Sequence, residues 1–162
     1  MAATSGNKAG VKAKLYRNTG TYGTPTWTEL TFVRDVNIGQ PWDFSEASIR
    51  ATRVKLYAPS QKDFAPTVTV KCDNADPGYI ALCAVDVTAG VIDTLVLDGA
   101  LTDEGARGVR AHFHYSDTGQ DQSVGVGAMY KTFEMKPGFS SEGWPMGVVV
   151  GASSALTMTA PG

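Results

Sequence analysis

Residues 67–97 read TVTVKCDNADPGYIALCAVDVTAGVIDTLVL, the one stretch that runs strand, helix, strand. Val68, Val70 and Cys72 alternate with Thr67, Thr69 and Lys71, the period of two of a strand with one face in a core. Asp76 is placed to accept hydrogen bonds from the free N–H groups of a helix start. Pro77 follows at the first helical position, where a fixed φ and a missing N–H cost nothing. Ile80, Cys83, Ala84 and Val87 fall at i, i+3, i+4 and i+7, which predicts an apolar stripe, and Gly90 supplies a left-handed residue to end the helix. The spacing therefore predicts a helix over about residues 77–88. Val91, Leu95, Val96 and Leu97 lead out as a strand, closed by the Asp98-Gly99 turn pair.

No other segment has a comparable helical pattern. The 162 residues fit one domain with a real core, and 18 glycines among many Thr and Val residues predict a mainly antiparallel fold of short strands. The formal net charge of −2 argues against a surface built to neutralise phosphates, which needs clustered Lys and Arg. The first ten residues lack the apolar core of a secretory signal, and no run approaches the ~18 apolar residues of a membrane span, so a soluble chain made in the cytoplasm is expected. In that compartment Cys72 and Cys83 are expected to be buried free thiols.

Residues 1–10 are small, polar and aperiodic, and read as a flexible arm that orders only when something holds it. Val11, Ala13 and Leu15 begin the first strand of a β domain expected over 11–145, followed by a Gly- and Thr-rich loop from Thr19 to Thr26. A second strand is predicted from about Leu30 to Ile38, with Trp42 and Phe44 in the connection after Gly39-Gln-Pro. Glu46 to Arg53 alternates as a hairpin partner for that strand, and 54–65 reads as a long loop, well beyond the usual length of about 4–6 residues. Farther on, Val109, Ala111, Phe113 and Tyr115 face one way and Arg110, His112 and His114 the other. A turn over Ser116–Asp121, a return strand through Val124, Val126, Ala128, Tyr130, Phe133 and Met135, and a bulge near Met129 complete this hairpin. Residues 146–162 form a glycine-rich, uncharged, β-prone extension that needs a covering strand or subunit.

Catalytic patterns are absent. His112 and His114 at i and i+2, with Asp117 and Asp121 nearby, make the best metal-like group. The chain has only these two histidines, so carboxylates would have to finish the shell, and solvated or interface histidines are the expectation. No G-x-S-x-G elbow and no phosphate-cradling G-x-x-x-x-G-K-[ST] occurs, and Asp103-Glu104 sits in a Gly-rich turn where nothing shifts a pKa. The chain is expected not to be an enzyme, with no catalytic residues, no metal and no cofactor.

Taken together, LYRNTG at 15–20, VRDV at 33–36, EASIRATR at 46–53, KDFAPTVTV at 62–70 and the helix followed by VLDG at 96–99 resemble the major tail tube proteins of long-tailed bacteriophages. The similar order covers about residues 10–137, and the pattern departs after about Trp144. The resemblance implies an antiparallel β-sandwich or half-barrel with one flanking α-helix, closing as a hexameric ring whose inner strands form one β-barrel around a channel. Rings would stack into a virion tail tube through which DNA passes without specific binding, its mildly acidic lumen repelling phosphates. Tape measure, terminator and baseplate proteins would be its other partners.

Residues matching the family's hairpin and loop are Val33–Val36, Glu46–Arg53 and Lys62–Phe64, and the 54–65 loop would reach the adjacent ring. Arg34, Asp35, Glu46, Arg50 and Arg53 would set register between subunits, with Lys62, Asp63 and Phe64 in the stacking loop. The alternative is a monomeric β-sandwich that binds carbohydrate, with Trp27, Trp42, Tyr57 or Trp144 as a stacking platform.

Overall fold

The computed structural model describes residues 13–37, 42–48, 54–62, 65–121, 127, 129–139 and 145–160. Among these, eleven strands and one α-helix follow in the order β1 (Lys14–Asn18), β2 (Trp27–Glu29), β3 (Val33–Asn37), β4 (Trp42–Glu46), β5 (Tyr57–Lys62), β6 (Thr67–Lys71), α1 (Pro77–Thr88), β7 (Ile92–Leu97), β8 (Arg107–Asp121), β9 (Tyr130–Pro137), β10 (Met146–Val150) and β11 (Leu156–Thr159). The fold is mainly antiparallel β, with α1 flanking the sheet.

The main sheet runs β2-β1-β7-β8-β9-β6-β3, and the 15-residue β8 organises it. Its first half has β7 on one edge, with Ile92 opposite Phe113 and Leu97 opposite Gly108. On the other edge β10 comes first, Met146 opposite Arg110, and β9 takes over from Phe113 onward, opposite Pro137. One strand thus feeds two branches, and β11 extends the β10 branch.

That branching produces a core on each side of β7. Leu15, Val96, Val109, Phe113, Phe133 and Met135 belong to the first, while Tyr16, Leu95, Leu97, Val148 and Val150 belong to the second. Neighbouring residues such as Leu15 and Tyr16 point to opposite faces because a strand alternates. The buried Thr94 hydroxyl is satisfied by the Tyr115 hydroxyl at 2.8 Å. Val148 and Val150 are fully buried, which contributes about 1.5–3 kcal/mol each. Within the segment read as an extension, Met146–Val150 and Leu156–Thr159 are strands of the main sheet.

Helix α1 spans the residues its sequence predicts. Asp76 caps it, accepting from the Tyr79 N–H at 2.9 Å, and Pro77 opens it. Two details differ. The left-handed residue at its end is Ala89, at φ 52°, and not Gly90. Its buried residues are Gly78, Tyr79 and Leu82, whereas Ile80 is 50% and Val87 85% exposed. The helix is apolar on several faces, so the i, i+3, i+4 count fits more than one rotation. Packing chooses the face with the large Tyr79 and Leu82. Cys72 and Cys83 are free thiols, half-buried rather than buried, against the first core.

Several boundaries also differ. Trp42 and Phe44 lie in β4 instead of a connection, and Tyr57–Lys62 is a strand within the expected 54–65 loop. The expected turn at Ser116–Asp121 is the continuation of β8, opposite β9, with the register shift falling between Asp117 and Gly119. Of the expected Glu46–Arg53 strand, Glu46 ends β4 and residues 47 and 48 follow it outside a strand; residues 49–53 lie outside the described residues, as do 1–12 and most of 122–128.

Candidate assembly surface

β4 and β5 form a two-stranded sheet of their own, Glu46 opposite Tyr57 and Trp42 opposite Lys62, with a register shift between Trp42 and Phe44. The hairpin closes through the Ala47 N–H donating to the Leu56 carbonyl at 2.8 Å and the Ser60 hydroxyl donating to the Asp43 carbonyl at 3.1 Å. Its described side chains are exposed throughout, among them Phe44 at 63%, Val54 at 69%, Leu56 at 45% and Tyr57 at 56%. A lone two-stranded hairpin is marginally stable in water, and four exposed apolar side chains on one projection mark a contact surface.

The charged residues singled out in sequence fall apart spatially. Arg34 and Asp35 lie on β3, with Arg34 Nε 3.5 Å from the Asp35 carboxylate and its guanidinium 4.9 Å from the centre of the Tyr130 ring. Glu46 lies on the hairpin, 3.6 Å from Lys55 Nζ. Both pairs are exposed, so each adds little to stability. Lys62 ends β5; Arg50, Arg53, Asp63 and Phe64 lie outside the described residues.

Two backbone edges of the main sheet complete the surface. β3 ends the strand order, and a slot of about 190 Å³, lined by Leu15, Leu30, Val33 and Val36 among others, separates it from β1. In the middle of the sheet, β8 outruns β7 beyond Phe113, where the Asp117 N–H donates to the Asp86 carboxylate of α1 at 3.1 Å.

An ion pair stiffens that second edge. Lys131 Nζ lies 2.9 Å from the Asp117 carboxylate. This hydrogen bond, helped by the Gly119 N–H, outweighs burial and holds the Asp117 carboxyl below its usual range, and the same contact raises the Lys131 ammonium. A depressed carboxylate contributes stability above its unfolded value of about 3.9, and loses it as pH falls through the folded value. Asp117→Asn is therefore expected to lower the melting temperature at neutral pH and to flatten its decline on acidification, as thermal unfolding between neutral pH and about pH 2 would show.

Sequence reading missed one buried cluster. Arg110 is 4% exposed and donates through Nε and Nη2 to the Asp93 carboxylate at 3.0 and 2.7 Å, and through Nη2 to the Tyr22 carbonyl at 2.9 Å. Its guanidinium lies 4.0 Å from the Tyr22 ring centre and 5.0 Å from that of Trp27. Asn18 donates to the same carboxylate at 2.9 Å. The only signal was Arg110 on the polar side of an alternating strand, which reads as solvated until the 19–26 loop covers it.

The histidines are likewise engaged separately: His112 is buried and stacks on Tyr22, and the exposed His114 donates through Nδ1 to the Gly90 carbonyl at 2.7 Å. Among the described residues no group of three or more His, Cys, Asp or Glu could hold a metal ion. Of the aromatic residues named for a stacking platform, Trp27 packs half-buried on the second core, Trp42 and Tyr57 lie on the hairpin strands, and Trp144 lies outside the described residues.

No protein-family model matches the sequence, and no curated protein matches it. Similar solved structures do exist. The chain is similar to the subunit of the SPP1 tail tube, determined by solid-state NMR and cryo-EM, with a TM-score of 0.60 and 12% identity over 80% of this chain and 75% of that one. It is also similar to a chain of the six-fold symmetrised baseplate of the anti-feeding prophage, with a TM-score of 0.50 and 10% identity over 86% of this chain and 95% of that one. The chain thus has the fold of a phage tail tube subunit.

Proposed function

We propose that this chain is the structural subunit of a bacteriophage tail tube. In this reading copies close into rings, six to a ring, and the rings stack around a channel that passes DNA. The observation that carries it is the β4–β5 hairpin, exposed and apolar, projecting from a fold shared with the SPP1 tail tube. Ring closure joins the free edge of β3 to the distal part of β8 in the next copy, which covers the exposed strand edge of β3. Arg34 and Asp35 then sit at the joint, and Glu46 on the hairpin, with Arg50, Arg53, Lys62, Asp63 and Phe64, sets register against a neighbour. The subunit is made in the host cytoplasm and resides in the virion, beside tape measure, terminator and baseplate proteins.

Negative-stain electron microscopy of the purified protein over a concentration series, with sedimentation velocity, tests this. Rings or tubes with an open channel are expected, and the double substitution Phe44→Asp, Tyr57→Asp is expected to leave only monomers. A monomer at every concentration, with no rings even on a preformed tube end, would overturn the proposal.

A further inference from the structure

Uncovered apolar side chains gather in two places of unlike shape. One is the projecting β4–β5 hairpin. The other is a groove of about 550 Å³ between the 19–26 loop and α1, walled by Tyr22 on one side and Ala81, Ala84 and Val85 on the other, with Val91 and Ile92 beneath. Its size lies within the roughly 300–1,000 Å³ of pockets that enclose a sizeable ligand.

We propose that this groove receives the β4–β5 hairpin of a second copy of the chain. The inference rests on the assembly reading above and adds where the hairpin lands. The groove is firm: Tyr22 is held by its stacking on His112 and by the Arg110 guanidinium, and Asp93 beside it is locked by the same arginine. Its helical wall is made of small residues, so a neighbouring backbone can come close. Apolar surface continues past the rim, where α1 exposes Ile80 and Val87 and where Phe139, next to the Gly138 that packs on Val91, is 86% exposed.

The hairpin has the matching features. Phe44, Leu56 and Tyr57 are exposed among the described residues, and Asp43 beside Phe44 carries the charge complementary to Arg17 on the groove wall. Because the two patches differ, a contact that is not returned by the same neighbour is heterologous, and it propagates around a ring or along a stack. Burial in the groove also supplies the support that a two-stranded hairpin lacks by itself.

The test places a photo-activatable benzophenone side chain at position 44, in place of Phe44, in the full-length protein. ¹⁵N-labelled and unlabelled chains are mixed, so that cross-links between copies are recognised by mass. Cross-links between copies that map to Tyr22 or to residues 81–85 are expected. The partner substitution Ala84→Asp, on an exposed helix position, is expected to raise the concentration needed for assembly about tenfold or more, since it would bury a carboxylate in an apolar site. Its circular dichroism and monomer stability should not change. Assemblies whose cross-links map elsewhere, and which tolerate Ala84→Asp, would overturn the groove while leaving the tube reading intact. Chains that neither assemble nor cross-link at any concentration would overturn both.

Discussion

Gly108→Ala is expected to destabilise the fold by about 3 kcal/mol or more, because the added methyl has no rotamer by which to escape. A Cβ at this position would run into the Val96 carbonyl oxygen and lie 2.7 Å from its carbon and 2.9 Å from the Leu97 Cα, all backbone of β7. β10 holds the opposite edge, with Val148 facing Gly108, so β8 cannot retreat without breaking a second ladder. The natural control is Gly23→Ala: nothing lies within 4 Å of its Cβ, and the change should stay within about 0.5 kcal/mol. Urea unfolding of both variants measures the difference. A Gly108→Ala protein as stable as the parent would mean that β7 and β8 are not paired in this register.

Arg110→Met is the second large effect, expected to cost about 3–5 kcal/mol. Methionine keeps much of the volume but leaves the Asp93 carboxylate, 9% exposed, with the Asn18 amide in place of a guanidinium that gave it two hydrogen bonds. It also empties the space between the Tyr22 and Trp27 rings, where a desolvated cation gains about 2 kcal/mol. Adding Asp93→Leu should recover part of the loss, because a paired charge and its partner can be replaced together at little cost. The double-mutant cycle, read by urea denaturation at neutral pH, then gives a coupling energy larger than any exposed pair such as Arg34–Asp35 could give. Additive effects would mean that the two side chains do not share one buried site.

What was legible in the sequence follows from where local chemistry decides the outcome. Asp76-Pro77 specifies a helix start without reference to the rest of the chain, and the alternation of Thr67–Lys71 and of Arg107–Tyr115 fixes which side chains face the first core. Trp27–Glu29 is a strand only because β1 lies beside it, and three residues carry no readable period. Ser116-Asp-Thr-Gly has turn chemistry, yet β9 opposite keeps it extended through a register shift. Likewise the face α1 buries, and the cover that turns Arg110 from a surface residue into a core one, depend on partners distant in sequence. Of the candidate assembly surface, the segment 54–65 was recognisable as unusual. That Tyr57–Lys62 within it is a strand was not, because Pro59 and the Lys and Asp residues resemble a loop.

The long β8 strand also imposes a schedule. Residues 108–110 need β7, already synthesised, on one edge and β10, more than thirty residues ahead, on the other. At about 5–20 residues per second of synthesis, that second edge stays bare for seconds. Pairings this remote in sequence, residues 14–17 with 94–97 among them, also place folding in the roughly millisecond-to-second range of non-local β topologies. The newborn chain therefore passes through a period in which the middle of its sheet, and not only its rim, is open to wrong partners. Dilution or chaperone shielding at that stage should raise the yield of native subunits more than any later treatment.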